Sequence, residues 1–294
     1  MSSPPVPDEL LARCTFPPAG SRVTCGVSGG ADSTALLVLA LASGCRATAI
    51  HVDHGLRPDS AGEADRVKAV AHSLGADFES RTATVEPGPN LEERARLARA
   101  DALPDDVLLG HTADDQAQTV LWHLIRGAGS HGLAAISADR RPILGLRRSE
   151  THELCERLGL DVVVDPSNDD PSITRNRIRA ELVPLLCDVA GRDVVPILCR
   201  VASHQREIAG LLDDLAAAID GDDARALADA PAPVAATIVR GAWRRHTGDG
   251  HGPDAAAIGR VLDVAAGRTH ATDVVGGWRV ERHAGKLTWV RTVG

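Results

Sequence analysis

A glycine pair joins a β-rich run to a helical run in the segment VSGGADST, residues 27–34. The residues before it, RVTCGV at 22–27, are apolar or β-branched as in a buried strand, and the residues after it have helical periodicity. Gly29 and Gly30 allow main-chain conformations that are closed to other residues and a close approach to a ligand. A strand, a glycine turn and a helix in succession favour an α/β fold.

The same alternation of strand and helix continues along the chain. Three further strand-like runs, each followed by a helical stretch, are ATAIHV (47–52), DFESRT (77–82) and DVLLG (106–110). Strands that alternate with helices predict a parallel sheet with helices on both faces. Ligands of such sheets bind beyond the carboxyl ends of the strands, so we expect the chemistry directly after each strand.

The strand signal fades after Asp165, and the length of 294 residues leaves room for a second domain. We predict an N-terminal extension over 1–21, an α/β domain over 22–190 and a smaller, mainly helical C-terminal domain over 191–294. A helix near residue 184 is expected to break at Pro184. The second domain should end in a hairpin or small meander turning at Gly285.

Composition limits the classes of function. No apolar run is long enough to cross a bilayer and the first residues do not resemble an export signal, which predicts a soluble, cytoplasmic protein without a membrane partner. The six cysteines include no C-x-x-C pair, which favours buried thiols over a zinc, iron–sulfur or redox site. A net charge of −8 argues against indiscriminate nucleic-acid binding but allows a local basic face.

The segment after the first strand has the chemistry of a phosphate cradle. Amides at a helix start point at an anion, hydroxyls add donors, and Asp32 offers a carboxylate where Mg²⁺ could bridge to phosphate. The P-loop of kinases and GTPases requires a lysine that is absent from this segment. The predicted cradle consists of Ser28, Gly29, Gly30, Ala31, Asp32 and Ser33.

The S-G-G-x-D-S string resembles the pyrophosphate loop of the N-type ATP pyrophosphatases. Further strings resemble, in order, the motifs of bacterial tRNA(Ile)-lysidine synthetases, over about residues 22–186. They are IHVDHGLRPDS (50–60), NLEERARLARADAL (90–103), GHTADDQAQTVLWHLIRGAG (110–129), RPILGLRRSETHELCERLGL (141–160) and DPSNDDPSITRNRIRAELVPLL (165–186).

The resemblance implies an adenine nucleotide alpha hydrolase-like fold and a ligase that uses ATP and Mg²⁺. Its members convert the wobble cytidine of tRNA(Ile) with a CAU anticodon into lysidine, consuming free lysine. The C2 carbonyl of cytosine is a poor electrophile, so its oxygen first attacks the α-phosphate of ATP and expels pyrophosphate. The ε-amine of lysine then adds at C2 and AMP leaves. A C-terminal domain would orient the tRNA, and a homodimer is left open.

The resemblance also implies roles for individual residues. Catalytic roles fall on Asp32, His111, Asp115, Arg175 and Arg179, with Asp32 as the Mg²⁺ ligand. ATP binding falls on the cradle together with His51, and substrate binding falls on Arg96, Arg99, Asp114, Gln118 and Arg177. Gln118 stands where the family has Glu, which predicts a weakened affinity for lysine or metal.

Each assignment has a plainer alternative. Asp114 and Asp115 could be an acidic helix N-cap with His111 as a surface residue. The spacing of His51 and His54 suits a metal, yet no third histidine or cysteine lies nearby, which favours the nucleotide. Arginines on helix surfaces are commonly solvated. Trp278 and Trp289 alternate with basic residues and fit a nucleic-acid surface or a buried core equally.

Two other functions remain open from the sequence. Another tRNA-modifying ATP pyrophosphatase, such as a thiolase, is disfavoured by the lack of paired cysteines. The absence of a glutaminase domain disfavours an amidotransferase. The charge lost at Gln118 motivates the second alternative, a relative that binds ATP or tRNA without catalysis.

Overall fold

The computed structural model describes residues 6–53, 60–83, 94, 98, 101–163, 170–248 and 252–292 of the chain. The chain forms two compact units, Met1–Ser203 and His204–Gly294. Each unit has a hydrophobic core of its own. The sequence predicts a domain boundary at residue 190, and this boundary stays a prediction.

A four-stranded parallel sheet organises the first unit, which confirms the predicted α/β class. The strand order is β3-β2-β1-β4, so the first strand lies inside the sheet between the second and the fourth. Neighbouring strands pair in parallel throughout. The four strands are β1 (Arg22–Gly26), β2 (Arg46–Asp53), β3 (Asp77–Thr82) and β4 (Leu108–Leu109).

Helices pack against this sheet, and the one after β1 is buried over almost its whole length. After its polar first turn this helix, ADSTALLVLALA, is apolar on every side, as expected of a helix in the centre of a domain. The helices with described bounds in the first unit are α1 (Asp8–Leu11), α2 (Ala31–Ala42), α3 (Ser60–Ser73), α4 (Ala113–Ile125), α5 (Ser130–Leu133), α6 (Arg148–Arg157), α7 (Thr174–Arg177), α8 (Val183–Ala190) and the first part of α9 (Val195–Ala217).

The expected break at Pro184 is absent, and the chain instead forms a π-helical turn over Ile178–Leu182 directly before α8. Proline lacks an amide hydrogen and is tolerated in the first turn of a helix. The main-chain dihedral angles of Arg177 and Val183, on either side of the π turn, are those of a right-handed helix. The helical path therefore continues through the π turn to Pro184. Turns of this type are frequent at functional sites.

Two strand-to-helix junctions lie side by side at the carboxyl edge of the sheet. A Cβ on Gly110, after β4, would lie 2.8 Å from the main-chain oxygen of Asp32 in the first turn of α2. Main-chain hydrogen bonds of 2.8 Å from Leu109 to Arg140 and from Ala113 to Leu146 hold the segment before α6 against the same junction. The loops that carry the sequence motifs therefore meet at one edge.

The second unit packs helices around a three-stranded antiparallel sheet, which confirms the predicted terminal meander. Trp243 is fully buried in its core, whereas Trp278 and Trp289 are partly buried at the margin. The elements are the end of α9, α10 (Ala224–Asp229), α11 (Ala232–Thr247), α12 (Ala255–Ala265), β5 (Ala271–Val274), β6 (Trp278–His283) and β7 (Lys286–Arg291). Among the helices that the structure describes, none is both long and apolar enough to cross a membrane.

Candidate active site

The loop between β1 and α2 is a tight turn held by its own hydroxyl and carbonyl groups. Gly29 has a φ of +93°, and a Cβ there would lie 2.9 Å from Cγ2 of Val163. The Ser33 hydroxyl donates to the Gly30 carbonyl at 2.9 Å and accepts from the Ser28 amide at 3.2 Å. The amides at the start of α2 precede its ladder of hydrogen bonds, which leaves them the donors expected of an anion cradle.

The carboxylate of Asp32, in the first turn of α2, is held from the N-terminus of α6. Arg148 Nε donates to its Oδ2 at 2.9 Å, and the Thr151 hydroxyl donates to its Oδ1. Burial raises the pKa of Asp32 above its ordinary value, although the Arg148 charge and the Thr151 hydrogen bond oppose the rise. A cation placed beside a buried carboxylate with a raised pKa stabilises its charged form, so Asp32 is suited to bind a second cation besides Arg148.

Asp115 serves two purposes with its two oxygens. The Thr112 amide and hydroxyl donate to Oδ2 at 2.8 and 3.0 Å and form a capping box at the start of α4. Oδ1 accepts from Arg148 at 2.8 Å and from Arg175 at 2.9 Å. Burial works to raise the pKa of Asp115, but the two arginines and the Thr112 amide outweigh it, so the pKa lies below its ordinary value. Capping the start of α4 is therefore one of two roles of Asp115, and the other is to bind Arg148 and Arg175.

Asp114 is fully engaged within the protein. Arg147 binds it with Nε and Nη2, both at 3.0 Å, and the Arg148 amide donates to it at 2.8 Å. A further contact joins Arg147 to Asp193. Asp114 thus fixes the start of α6, where Arg148 projects toward Asp32. Together these side chains form an arginine–aspartate cluster of Asp32, Asp114, Asp115, Arg147, Arg148 and Arg175.

The predicted site histidines His51 and His111 are placed differently. Nδ1 of His51, a buried residue, lies 2.9 Å from the Val27 carbonyl and fixes the imidazole at the end of β1. Nδ1 of His111 is buried and has no hydrogen-bond partner among the described residues. Burial lowers the pKa of His111 to about 4, against the opposing charge of Asp115. Its imidazole is neutral at neutral pH.

Gln118 is buried beside the guanidinium of Arg175. Arg175 Nε approaches Gln118 Oε1 at 3.4 Å while its Nη2 contacts Asp115. A glutamate at this position would place a second charge next to the same arginine. The replacement therefore changes the charge balance of the cluster without removing the acceptor atom.

The remaining predicted residues have no described contact with the cluster or lie outside the described residues. Arg177 makes an exposed ion pair with Glu181 at 2.9 Å. Arg179 lies in the π-helical turn. Arg96, Arg99 and His54 are outside the described residues, so the predictions about them stay predictions.

Sequence reasoning assigned no role to Arg148 or Thr151, although the segment RPILGLRRSETHEL that contains them was matched. Both contact Asp32 across more than a hundred residues of sequence. The signal available was the second arginine of the RR pair, which stands at the start of a helix where a carboxylate is the usual residue.

The described residues supply only part of a magnesium site. Mg²⁺ is commonly bound through one or two carboxylates together with waters and substrate phosphates. Asp32 and Asp115 converge on the single guanidinium of Arg148, which marks a place where two carboxylates share a cation. The described residues contain no group of three or more metal-type side chains that would form a complete protein site.

Comparisons with known proteins agree with the motifs. A family model described as a PP-loop domain matches residues 8–186. A tRNA(Ile)-lysidine synthase from Nocardia farcinica is 41% identical over 251 residues, covering 79% of this chain and 78% of the relative. Another from Mycobacterium tuberculosis is 44% identical over 209 residues, covering 68% and 64%.

Among solved structures, a U34-tRNA thiolase from Methanococcus maripaludis superposes with a TM-score of 0.53. The identity is 18%, over 64% of this chain and 73% of the thiolase. A likeness at that identity concerns the fold alone.

Proposed function

Because the chain belongs to the tRNA(Ile)-lysidine synthase family of PP-loop proteins, we propose that its arginine–aspartate cluster is the active site of an ATP-dependent lysidine-forming ligase. The observation that carries the proposal is the double contact of Arg148, which joins Asp32 of the phosphate loop to Asp115 of the GHTADDQ segment. Arg148 thereby holds together Asp32, which we assign to ATP, and Asp115, which is suited to bind an amine.

The ATP side of the reaction rests on the loop after β1. As a PP-loop protein the chain uses ATP, and we assign the phosphates to residues 28–33 and the nucleotide side to His51. The positive φ of Gly29 and its contact with Val163 keep side-chain atoms out of the turn, which lets main-chain donors approach phosphate oxygens. When bound through Asp32, Mg²⁺ would neutralise charge on the departing pyrophosphate.

The chemistry has two steps. The C2 oxygen of the wobble cytidine forms a bond to the α-phosphorus of ATP while the bond to pyrophosphate breaks. The ε-nitrogen of lysine then bonds to C2, and AMP leaves with the former C2 oxygen. Preorganised donors at the site of developing charge supply most of the rate enhancement in reactions of this kind.

The lysine side of the reaction falls to the residues around Asp115. A free lysine ammonium has a pKa of about 10.4 and must lose a proton before it attacks. Asp115, with a lowered pKa, stays ionised and attracts the cation. His111 is neutral beside Asp115, so it adds no positive charge that would repel the ammonium.

The tRNA side of the reaction is assigned to basic residues. Arg175 reaches the cluster, and its planar guanidinium suits a phosphate or an unpaired base. We also assign Arg96, Arg99, Arg177 and Arg179 to this side, on the strength of the motifs alone. The second unit would orient the tRNA, with His246 stacked on Trp289 at 5.6 Å as a candidate aromatic surface.

The thiolase alternative has little to support it in this chain. All six cysteines are free, and five of them are buried or contribute to the hydrophobic packing described above. The described residues provide no cluster of the kind that binds iron and sulfur. A catalytically silent ATP or tRNA binder is the remaining alternative, and only an assay separates it.

The test is pyrophosphate release from ATP in the presence of a CAU-anticodon tRNA(Ile) transcript and lysine. We expect release to require the tRNA, to disappear when the wobble cytidine is replaced, and to be abolished by Asp32→Ala. AMP release should additionally require lysine. A protein that binds ATP and tRNA but releases no pyrophosphate would be the silent relative.

A further inference from the structure

Arg141 is a half-buried arginine next to the cluster that forms no salt bridge with any carboxylate among the described residues. Arg147, Arg148 and Arg175 each bind at least one aspartate. Arg141 instead donates from Nη1 to the main-chain oxygen of Asp139 at 2.8 Å. Its Nε is buried and has no hydrogen-bond partner in the part of the chain that the structure describes.

The backbone that carries Arg141 is firmly fixed. The Leu109 amide donates to the Arg140 carbonyl at 2.8 Å, and the Thr15 amide donates to the Pro142 carbonyl at 2.9 Å. Arg140 has a φ of +60°, a left-handed conformation that a residue with a side chain rarely adopts, and its guanidinium contacts the Asp105 carbonyl. Such strain persists only where the surrounding structure imposes it, and it is frequent at ligand sites.

The same anchoring places Arg141 beside His111. Leu109 and Arg140 are hydrogen-bonded, so the residues that follow them leave the edge of the sheet together. The charge of Arg141 is among those that lower the pKa of His111. Arg141 Nε and His111 Nδ1 are the two buried side-chain polar atoms without a partner among the described residues. Two such atoms on residues whose charges interact are consistent with one ligand that supplies both partners.

The chemistry of the two atoms defines that ligand. Nε of a guanidinium only donates, and although the Asp139 charge acts on Arg141, no described group accepts a hydrogen bond from this Nε, so an oxyanion suits it. One of the two nitrogens of a neutral imidazole accepts a hydrogen bond, and it is Nδ1 when the proton is on Nε2. A carboxylate and an ammonium on the same carbon, the head group of a free amino acid, present both.

We propose that Arg141 binds the α-carboxylate of the amino-acid co-substrate, with His111 beside it as an acceptor for the α-ammonium group. This inference rests on the proposed function, which makes free lysine the reactant that carries a carboxylate. It adds a specificity element, because a simple diamine would offer the reactive amine to Asp115 but nothing to Arg141.

The alternative source of an oxyanion is a phosphate group of the nucleotide. Charge-assisted hydrogen bonds to a guanidinium suit either group. The carboxylate is favoured because an amino acid also carries the N–H donor that His111 Nδ1 lacks, whereas a phosphate group offers no such donor. The two sources make opposite predictions for nucleotide affinity, which allows one experiment to separate them.

The experiment measures binding of L-lysine and of cadaverine, which is lysine without its carboxylate, to the full-length protein by calorimetry. Both amines are titrated into protein saturated with a non-hydrolysable ATP analogue. The variants are Arg141→Met, which removes the charge, Arg141→Lys, which keeps it, and Arg157→Met as a control. Arg157 is an exposed arginine at the end of α6.

We expect Arg141→Met to weaken lysine binding about 10- to 100-fold, the usual cost of losing a hydrogen bond to a charged group. Cadaverine affinity and nucleotide affinity should stay within about threefold of the original. Arg141→Lys should recover part of the lost lysine affinity, and Arg157→Met should change nothing.

An equal loss for lysine and cadaverine would overturn the proposal, since a carboxylate-independent effect means a structural role. Loss of nucleotide affinity with the lysine preference intact would overturn it in favour of phosphate binding. The absence of lysine binding to the original protein would also overturn it. Because the readout is binding, a protein that prefers lysine through Arg141 yet releases no pyrophosphate would sustain this inference and refute the ligase function.

Discussion

Arg148 donates a 2.9 Å hydrogen bond from Nε to Asp32 Oδ2, across 116 residues of sequence. The same guanidinium donates from Nη2 to Asp115, so one cation serves the carboxylates of two separate motifs. The Arg148 amide is in turn fixed by Asp114. The ATP side and the amine side of the site are therefore coupled through a single side chain.

Replacing Arg148 with methionine tests this coupling. The side chain is 26% exposed, so we expect a loss of about 2–3 kcal/mol in the free energy of unfolding, below the usual range for a fully buried pair. Asp32 and Asp115 would then face each other without a shared cation and their pKa values would rise. The loss should be greatest near pH 8 and smaller at pH 5, where the carboxylates take up protons.

Urea unfolding of Arg148→Met and of the control Arg157→Met at several pH values measures this effect. A loss that is the same at every pH would point to packing instead of charge. An unchanged stability would show that the guanidinium is not held by these carboxylates.

Replacing Gly29 with alanine should disrupt the phosphate loop. The backbone there has a φ of +93° and the added methyl group would lie 2.9 Å from Val163 Cγ2, so we expect a stability loss of about 1–3 kcal/mol together with weaker ATP binding. Gly30 is a matched control, because its φ is −69° and the nearest atom to an added Cβ is 3.8 Å away. Calorimetric titration with an ATP analogue and thermal unfolding compare the two. Equal effects at Gly29 and Gly30 would argue against the strained turn.

Gln118→Glu should strengthen the binding of lysine. The new carboxylate would lie beside Arg175, whose Nε is 3.4 Å from the present Oε1, and would add negative charge next to Asp115. We expect lysine affinity to rise by about 3- to 10-fold, with nucleotide affinity little changed. Lysine titrations of the two proteins measure the difference. Equal affinity and equal rate would remove any role for the missing charge.

His111 should make the protein less stable in acid. Its pKa is about 4 in the folded chain and about 6.5 in an unfolded one, so the unfolded state binds the extra proton between these values. The resulting stability is fully present above pH 6.5 and falls by about 3 kcal/mol as the pH drops to 4. His111→Gln should lack this part of the slope. Urea unfolding of both proteins over pH 4–8 measures the difference, and parallel curves would contradict the burial of His111.

Local sequence patterns located most of the first unit correctly. The alternation in ATAIHV and DFESRT identified β2 and β3, and the apolar run after the glycine turn identified α2. The fourth strand was expected over 106–110 but pairs only at Leu108 and Leu109, because β1 ends at Gly26 opposite Leu109. Strand length depends on the partner, which a local pattern does not contain.

The site was predicted less completely than the fold. Asp32 and Asp115 were found because each stands in a motif directly after a strand. Arg148 and Thr151 were missed because their role is set by contacts with Asp32, on a helix more than a hundred residues earlier in the chain. Asp114 was expected to bind substrate, and in the structure its oxygens hold Arg147 and the Arg148 amide. Helix periodicity does not specify such pairings.

The most direct test of the ligase function is mass spectrometry of nucleosides from a CAU-anticodon tRNA(Ile) incubated with the protein, ATP and isotope-labelled lysine. The account predicts that the wobble cytidine gains the mass of lysine less one water, carries the label, and stays unmodified with Asp32→Ala. An unlabelled, unchanged cytidine under conditions where the protein binds both ATP and tRNA would contradict it.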